Sequence, residues 1–271
     1  MAYCVVVDLR VMGIAELNDN IYVVVASCNK IKVFTGFPWY NRLENIVVKA
    51  MKDPLDLAVD LTTGHLYIAD CAGHCVWRLE VKDKQDSNDN DNIQMDKLDI
   101  EARQQPFLFF PSSLSVTEAG QVLILDRCMN ELTIWSSQGN RSEVIKLMDN
   151  DPWNTPRHVI QSSLQTFLVA HEDLVSLFDQ KWKLLKQYGG LRLSEPQYLA
   201  EVSADGHMFL VDKERILILS PRLEVERTLV LRPSKSEDPV LGWGQRLFFS
   251  RSSGNLMVAW GGKYLWVYSI T

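Results

Sequence analysis

The stretch "HLYIADCAGHCVWRLE", residues 65–80, decides how the chain is read. It opens with alternating apolar residues, breaks at a short polar loop and turns apolar again, which is the pattern of two paired strands. It also sets Cys71, His74 and Cys75 within five positions, which raises the question of a metal site. The answer depends on whether the stretch stands alone.

It does not. The same frame returns as "IYVVVASCNKIKVF" from Ile21, "VLILDRCMNELTIW" from Val122, "FLVAHEDLVSLF" from Phe167, "MFLVDKERILIL" from Met208 and "LMVAWGGKYLWV" from Leu256. The matching residues Tyr22, Tyr67, Leu123, Leu168, Phe209 and Met257 are spaced by 45, 56, 45, 41 and 48. In phase with them, Pro54, Pro111, Pro156, Pro196 and Pro239 open short apolar strands, a position where a missing N–H costs no ladder bond. Turns such as "LTTGH", "TEAGQ", "SADGH" and "SRSSGN" then fit tight hairpins. A fourth strand follows in most periods: "NIVVKAM", "SEVIKLM", "KLLKQYG" and "VERTLVL".

Four short antiparallel strands in each period of roughly 45 residues make one propeller blade, and six periods fill the chain. The fold class is therefore all-β: one domain, residues 1–271, with six four-stranded blades and an acidic loop insertion at about 82–96. The last period, ending "KYLWVYSIT", lacks a fourth strand, and the N-terminal "YCVVVDL" is a strand without a blade. Pairing the two would close the ring and remove both open edges.

Period two carries Ala69 and Asp70 after its second strand, and period three carries Asp126 and Asn130. Period one has Asn29, Lys30 and Ile31, and period five has Asp212, Arg215 and Ile216. A small residue and aspartate, then asparagine, a basic residue and an aliphatic one, resemble the NHL repeat. The whole chain is similar to a six-bladed NHL β-propeller of the kind found in tripartite-motif proteins. Periods four and six depart from the pattern, with His171 and Trp260 where aspartate is expected. The resemblance implies a non-catalytic module that presents its loops to a protein partner, often as the substrate-recognition part of a ubiquitin ligase. The chain has no RING-type spacing of cysteine and histidine, so ligase activity would reside elsewhere. Some NHL propellers bind single-stranded RNA on the same face, which gives the alternative reading. A metal-dependent propeller hydrolase is the third.

With the repeat in hand, Cys71, His74 and Cys75 fall in the loop after the second strand of blade two, where Cys28 and Cys128 stand in blades one and three. Zinc needs four ligands at about 2.0–2.3 Å, and loops of adjacent blades are too far apart to supply them. Cys71, His74 and Cys75 stay as weak metal candidates, and soft residues filling contacts between blades are the expectation. In the insertion, Asp86, Asn88 and Asn90 have a calcium-loop rhythm, but Asp91 stands where glycine is needed and Lys97 where glutamate is needed. The five histidines form no cluster with carboxylates at ligand spacing, and there is no nucleophile elbow, H-E-x-x-H or phosphate loop. No cofactor and no catalytic residue are expected. Asp70, Asp126 and Asp212 are expected to order their own loops by local hydrogen bonds.

The partner-binding residues are expected on the face that collects the segments leading into each blade and the loops after each second strand. The arginines there are Arg127, Arg157 and Arg215, and the aromatic anchors are Phe107, Trp153, Trp243 and Trp260. Trp39 and Tyr40 in "GFPWYNR" belong to the opposite face.

A composition of 46% hydrophobic and 23% charged residues is that of a globular domain, and a net charge of −6 disfavours general attraction to phosphate backbones. No apolar run reaches the roughly 18 residues of a membrane span. The start "MAYCVVVDLRVMG" meets Asp8 and Arg10 too early for a secretory signal. Five cysteines without framework spacing point to free thiols, and with them to a cytoplasmic, monomeric domain.

Overall fold

The computed structural model describes residues 2–81, 94–98, 100, 109–136, 141–147, 155–194, 196–201, 205–213, 215–229, 245–260 and 262–270. Blade one holds β2 (Val11–Leu17), β3 (Asn20–Val25), β4 (Lys30–Thr35) and β5 (Ile46–Val47). Blade two holds β6 (Pro54–Asp60), β7 (His65–Asp70), β8 (Cys75–Glu80) and β9 (Gln94–Lys97). In blade three these are β10 (Pro111–Val116), β11 (Gln121–Asp126), β12 (Glu131–Ser136) and β13 (Arg141–Lys146). Blade four has β14 (His158–Gln161), β15 (Phe167–Ala170), β16 (Leu174–Phe178) and β17 (Leu184–Gly189). Blade five has β18 (Pro196–Glu201), β19 (Met208–Asp212), β20 (Arg215–Leu219) and β21 (Val225–Leu229). Blade six joins β22 (Gln245–Ser250), β23 (Asn255–Trp260) and β24 (Tyr264–Ser269) to β1 (Ala2–Val6).

The N-terminal strand thus closes the ring, with Tyr3 opposite Val267 and Cys4 opposite Trp266. The closure continues past the strand, where the Val7 N–H donates to the Lys263 carbonyl at 2.8 Å. Within each blade the pairing is antiparallel, between consecutive strands except for β1 with β24. The hairpin glycines Gly64 and Gly120 sit at φ 72° and 73°, in the left-handed region that other residues enter only at a cost. Asp60 locks the first of these turns, its carboxylate accepting from the Thr62 N–H at 2.9 Å and from the Thr63 hydroxyl at 2.8 Å.

Alternate residues of each strand face opposite neighbours, so Leu66 and Ile68 pack toward blade one while Tyr67 and Ala69 pack toward blade three. The buried apolar side chains accordingly form six clusters, one in each gap between blades. The gap between blades six and one is filled like the others, by Val7, Val11, Ile14, Met257 and Val267 among others.

One expectation changes. The insertion of blade two was expected to run to residue 96, but Gln94–Lys97 form β9, the blade's fourth strand. The reason is a cross-strand pair: Arg78 lies opposite Asp96, and its Nε donates to that carboxylate at 3.0 Å. The calcium-like residues Asp86, Asn88 and Asn90 lie outside the described residues.

Candidate functional site

The loop face is organised by aspartates at the ends of second strands. Asp70 accepts from the N–H groups of Lys52 (3.0 Å) and Asp53 (2.9 Å), which lead into blade two. It also accepts from the Gly73 N–H and from the Trp77 indole, both at 3.0 Å. Asp126 accepts from Phe110 N–H at 3.1 Å and from Cys128 and Met129 N–H at 3.1 and 3.2 Å. Asp212 accepts from Ser194 N–H at 2.8 Å and from Arg215 Nε at 2.9 Å. All three are fully buried, and each ties the segment leading into its blade to its own loop. They act as loop anchors, as the sequence predicts.

The three arginines fall on this face. Arg127 and Arg157 both donate to Glu172 Oε1, at 3.2 and 3.0 Å, and Arg157 also reaches Gln197 Oε1 at 3.3 Å. This line joins blades three, four and five. Arg215 turns inward to Asp212, Nη2 to Oδ2 at 2.7 Å, and donates to the Arg192 carbonyl at 2.7 Å. Glu172 is one of the loop-face acids that the sequence places beside these arginines, but its joining of two of them is not visible there, because its partners lie 45 and 15 residues away. Beside the line stands Met129, which is 49% exposed.

Of the aromatic candidates, Phe107, Trp153 and Trp243 lie outside the described residues. Trp260 does not present its ring to solvent: it is 8% exposed and packs in the cluster between blades five and six. A large aromatic in place of the loop aspartate is drawn into the gap by the area it buries. On the opposite face Trp39 is 75% exposed, whereas Tyr40 is buried and its hydroxyl accepts from Asn255 Nδ2 at 2.9 Å.

The weak metal candidates are separated by packing. Cys75 belongs to the cluster between blades one and two. His74 binds the Phe109 carbonyl through Nδ1 at 3.0 Å and meets the Phe110 ring edge-on. Burial pushes the thiols of Cys71 and Cys75 up to about 11, so both stay protonated at neutral pH. Among the described residues no group of three or more histidines, cysteines and acids has the geometry to hold a metal ion.

A second constellation lies on the axis. Two positions after the in-phase prolines stand Asp56, Ser113, His158 and Tyr198, and Gly13 and Arg246 share their register in blades one and six. One residue from each blade thus meets at one level of the central channel. In four blades a β-bulge lies directly before this residue, which re-aims its side chain. Asp56 accepts from Leu57 N–H, Leu114 N–H and the Tyr198 hydroxyl, each at 2.9 Å. The Tyr198 bond crosses from blade five to blade two. His158 stacks on Tyr198 with centroids 3.5 Å apart, and its Nδ1 accepts from Leu199 N–H at 3.2 Å. Arg246 donates to the Met12 carbonyl and, at 2.9 Å, to the Leu55 carbonyl. Burial raises the Asp56 carboxyl above its ordinary value, and it lowers His158, with Arg246 adding to that effect. Gly13 makes room, since a Cβ there would stand 2.5 Å from the Leu57 nitrogen.

The profile of the NHL repeat family matches residues 51–79, which is most of blade two and includes the loop anchored by Asp70. No curated protein sequence matches the chain. Among solved structures, a streptogramin B lyase is similar at a TM-score of 0.70 and 12% identity, covering 98% of this chain and 97% of that one. A virginiamycin B lyase from Staphylococcus aureus is similar at a TM-score of 0.65 and 9% identity, over 100% and 99%. A nidogen/laminin complex is similar at 0.63 and 12% identity, over 81% and 79%. At such identities the likeness is one of fold. The chain is a six-bladed β-propeller with an NHL repeat in its second blade.

Proposed function

We propose that this propeller is a non-catalytic interaction module that presents its loop face to a protein partner. The observation that carries the reading is the line Arg127–Glu172–Arg157–Gln197, which spans three blades and fixes the partly exposed charges of Arg127 and Glu172 over the buried side chains of Arg157 and Gln197 before any partner arrives. An ordered surface loses less side-chain entropy on binding than a mobile one. Its signs are mixed, which suits a partner surface that is itself mixed. Single-stranded RNA wants unopposed positive charge with stacking platforms, whereas Arg127 and Arg157 face Glu172 and Arg215 faces Asp212.

In finer form, the module selects substrates for a ubiquitin ligase whose chemistry resides in another module, and it works in the cytoplasm. The family resemblance supports the first statement. The free state of all five cysteines supports the second. The similar nidogen/laminin structure is, by its description, a complex of proteins.

A photo-crosslinking residue at Met129 on the loop face, compared with one at Leu61 in a hairpin turn of the other face, tests the reading in cells. The reading expects a protease-sensitive, nuclease-resistant adduct at Met129 only, weakened by Arg127→Glu. A nuclease-sensitive adduct, or equal capture from both positions, would overturn it.

A further inference from the structure

On the hairpin side of the channel ring lies a cavity of about 210 Å³. Its walls come from all six innermost strands and include Ile14, Leu57, Leu114, Ile160, Leu247 and Phe249. An apolar cavity of about 150 Å³ already holds benzene, so this one has room for a substituted ring. Three alanines, Ala15, Ala58 and Ala200, stand one register position outward of the apolar wall residues Ile14, Leu57 and Leu199, and they keep the space open.

The lining is mixed: Gln161, Tyr198, Arg251 and His158 stand among the apolar walls. His158 lines it while being only 2% exposed. Its Nδ1 is taken by the Leu199 N–H, so the proton of the neutral ring resides on Nε2, a donor with no partner among the described residues. Ser115, on the neighbouring blade, also lines the cavity, but its Oγ is covered from it. A buried donor left without an acceptor is costly, and a ligand acceptor at His158 Nε2 would recover that cost.

We infer that the cavity is a binding site for a small, uncharged, largely apolar molecule, a single ring or branched chain bearing one carbonyl oxygen. The apolar walls take the body, and the carbonyl accepts from His158 Nε2. The charged groups of the ring do not call for an ionised ligand: Asp56 already receives three donors, and Arg246 is spent on backbone carbonyls. The site is separate from the loop face and does not depend on its reading.

The test is a ligand-observed NMR titration of the whole chain with acetophenone and with ethylbenzene, its counterpart without the oxygen. The site predicts saturable binding of acetophenone, about three- to tenfold tighter than ethylbenzene, the difference one hydrogen bond makes. Ala200→Leu, which fills the cavity with an apolar side chain, should abolish binding of both while the variant keeps a cooperative unfolding transition. His158→Phe should bring the two affinities together. No saturable acetophenone signal, or wild-type affinity in Ala200→Leu, would overturn the inference. Equal affinity of the two compounds for the wild-type chain would refute the role given to His158.

Discussion

Asp56 is the side chain on which the centre of the ring depends, because three donors from three blades converge on one buried carboxyl. Asp56→Ala leaves two backbone N–H groups and a tyrosine hydroxyl buried without acceptors. The expected loss is about 3 kcal/mol or more, read from urea denaturation midpoints. His158 contributes a pH dependence whose sign follows from its lowered proton affinity. The unfolded histidine takes up a proton below about pH 6.5 while the native one stays neutral. Its contribution is therefore complete above that pH and is lost as the pH falls through the window below it. Wild type should lose stability between about pH 6.5 and 5 more steeply than His158→Phe, and parallel thermal melts across this range would show it. Asp56, raised rather than lowered, acts in the opposite sense: its contribution is present below about pH 4 and declines as the pH rises.

At the scale of strands and turns, the glycines separate two kinds of constraint. Gly13→Ala sets a Cβ against the Leu57 backbone, which cannot rotate away, and is expected to cost about 1–3 kcal/mol by pushing β2 from β6. Gly64→Ala meets nothing within 4 Å, so its cost is conformational only, about 1 kcal/mol at φ 72°. Chemical denaturation of the two variants should rank them in that order. The strands, the hairpins and the joining of the two ends were legible because their signals are local: alternation, a proline at a strand's start and a glycine in a tight turn. Strand β9 was hidden because a long polar insertion precedes it, and only its pairing with β8 reveals it. The channel ring was hidden for a different reason. Its six positions carry aspartate, serine, histidine, tyrosine, arginine and glycine, so no residue type repeats. Counting two places on from each proline would have found four of them. The loop aspartates were legible because their hydrogen bonds are near in sequence. The ion-pair line through Glu172 was not, because it exists only once blades three and four are side by side.

Across the whole molecule, six equivalent gaps are filled by six equivalent clusters, and the last of them exists only because the N-terminal strand returns to the C-terminal sheet. Opening that gap would expose Val11, Ile14, Met257 and Val267 to water and leave β24 as a bare edge. The loop face and the channel ring both presuppose closure, since Arg246 of blade six bonds carbonyls of blades one and two. Differential scanning calorimetry of the chain with and without residues 2–6 tests this most directly. The intact chain should unfold in one transition. The shortened chain should melt about 5–10 °C lower, as expected for the loss of about 3 kcal/mol from a domain of this size, with the transition broadened as the end blades fray. An unchanged melting temperature and a single unaltered transition after the deletion would contradict the closed ring.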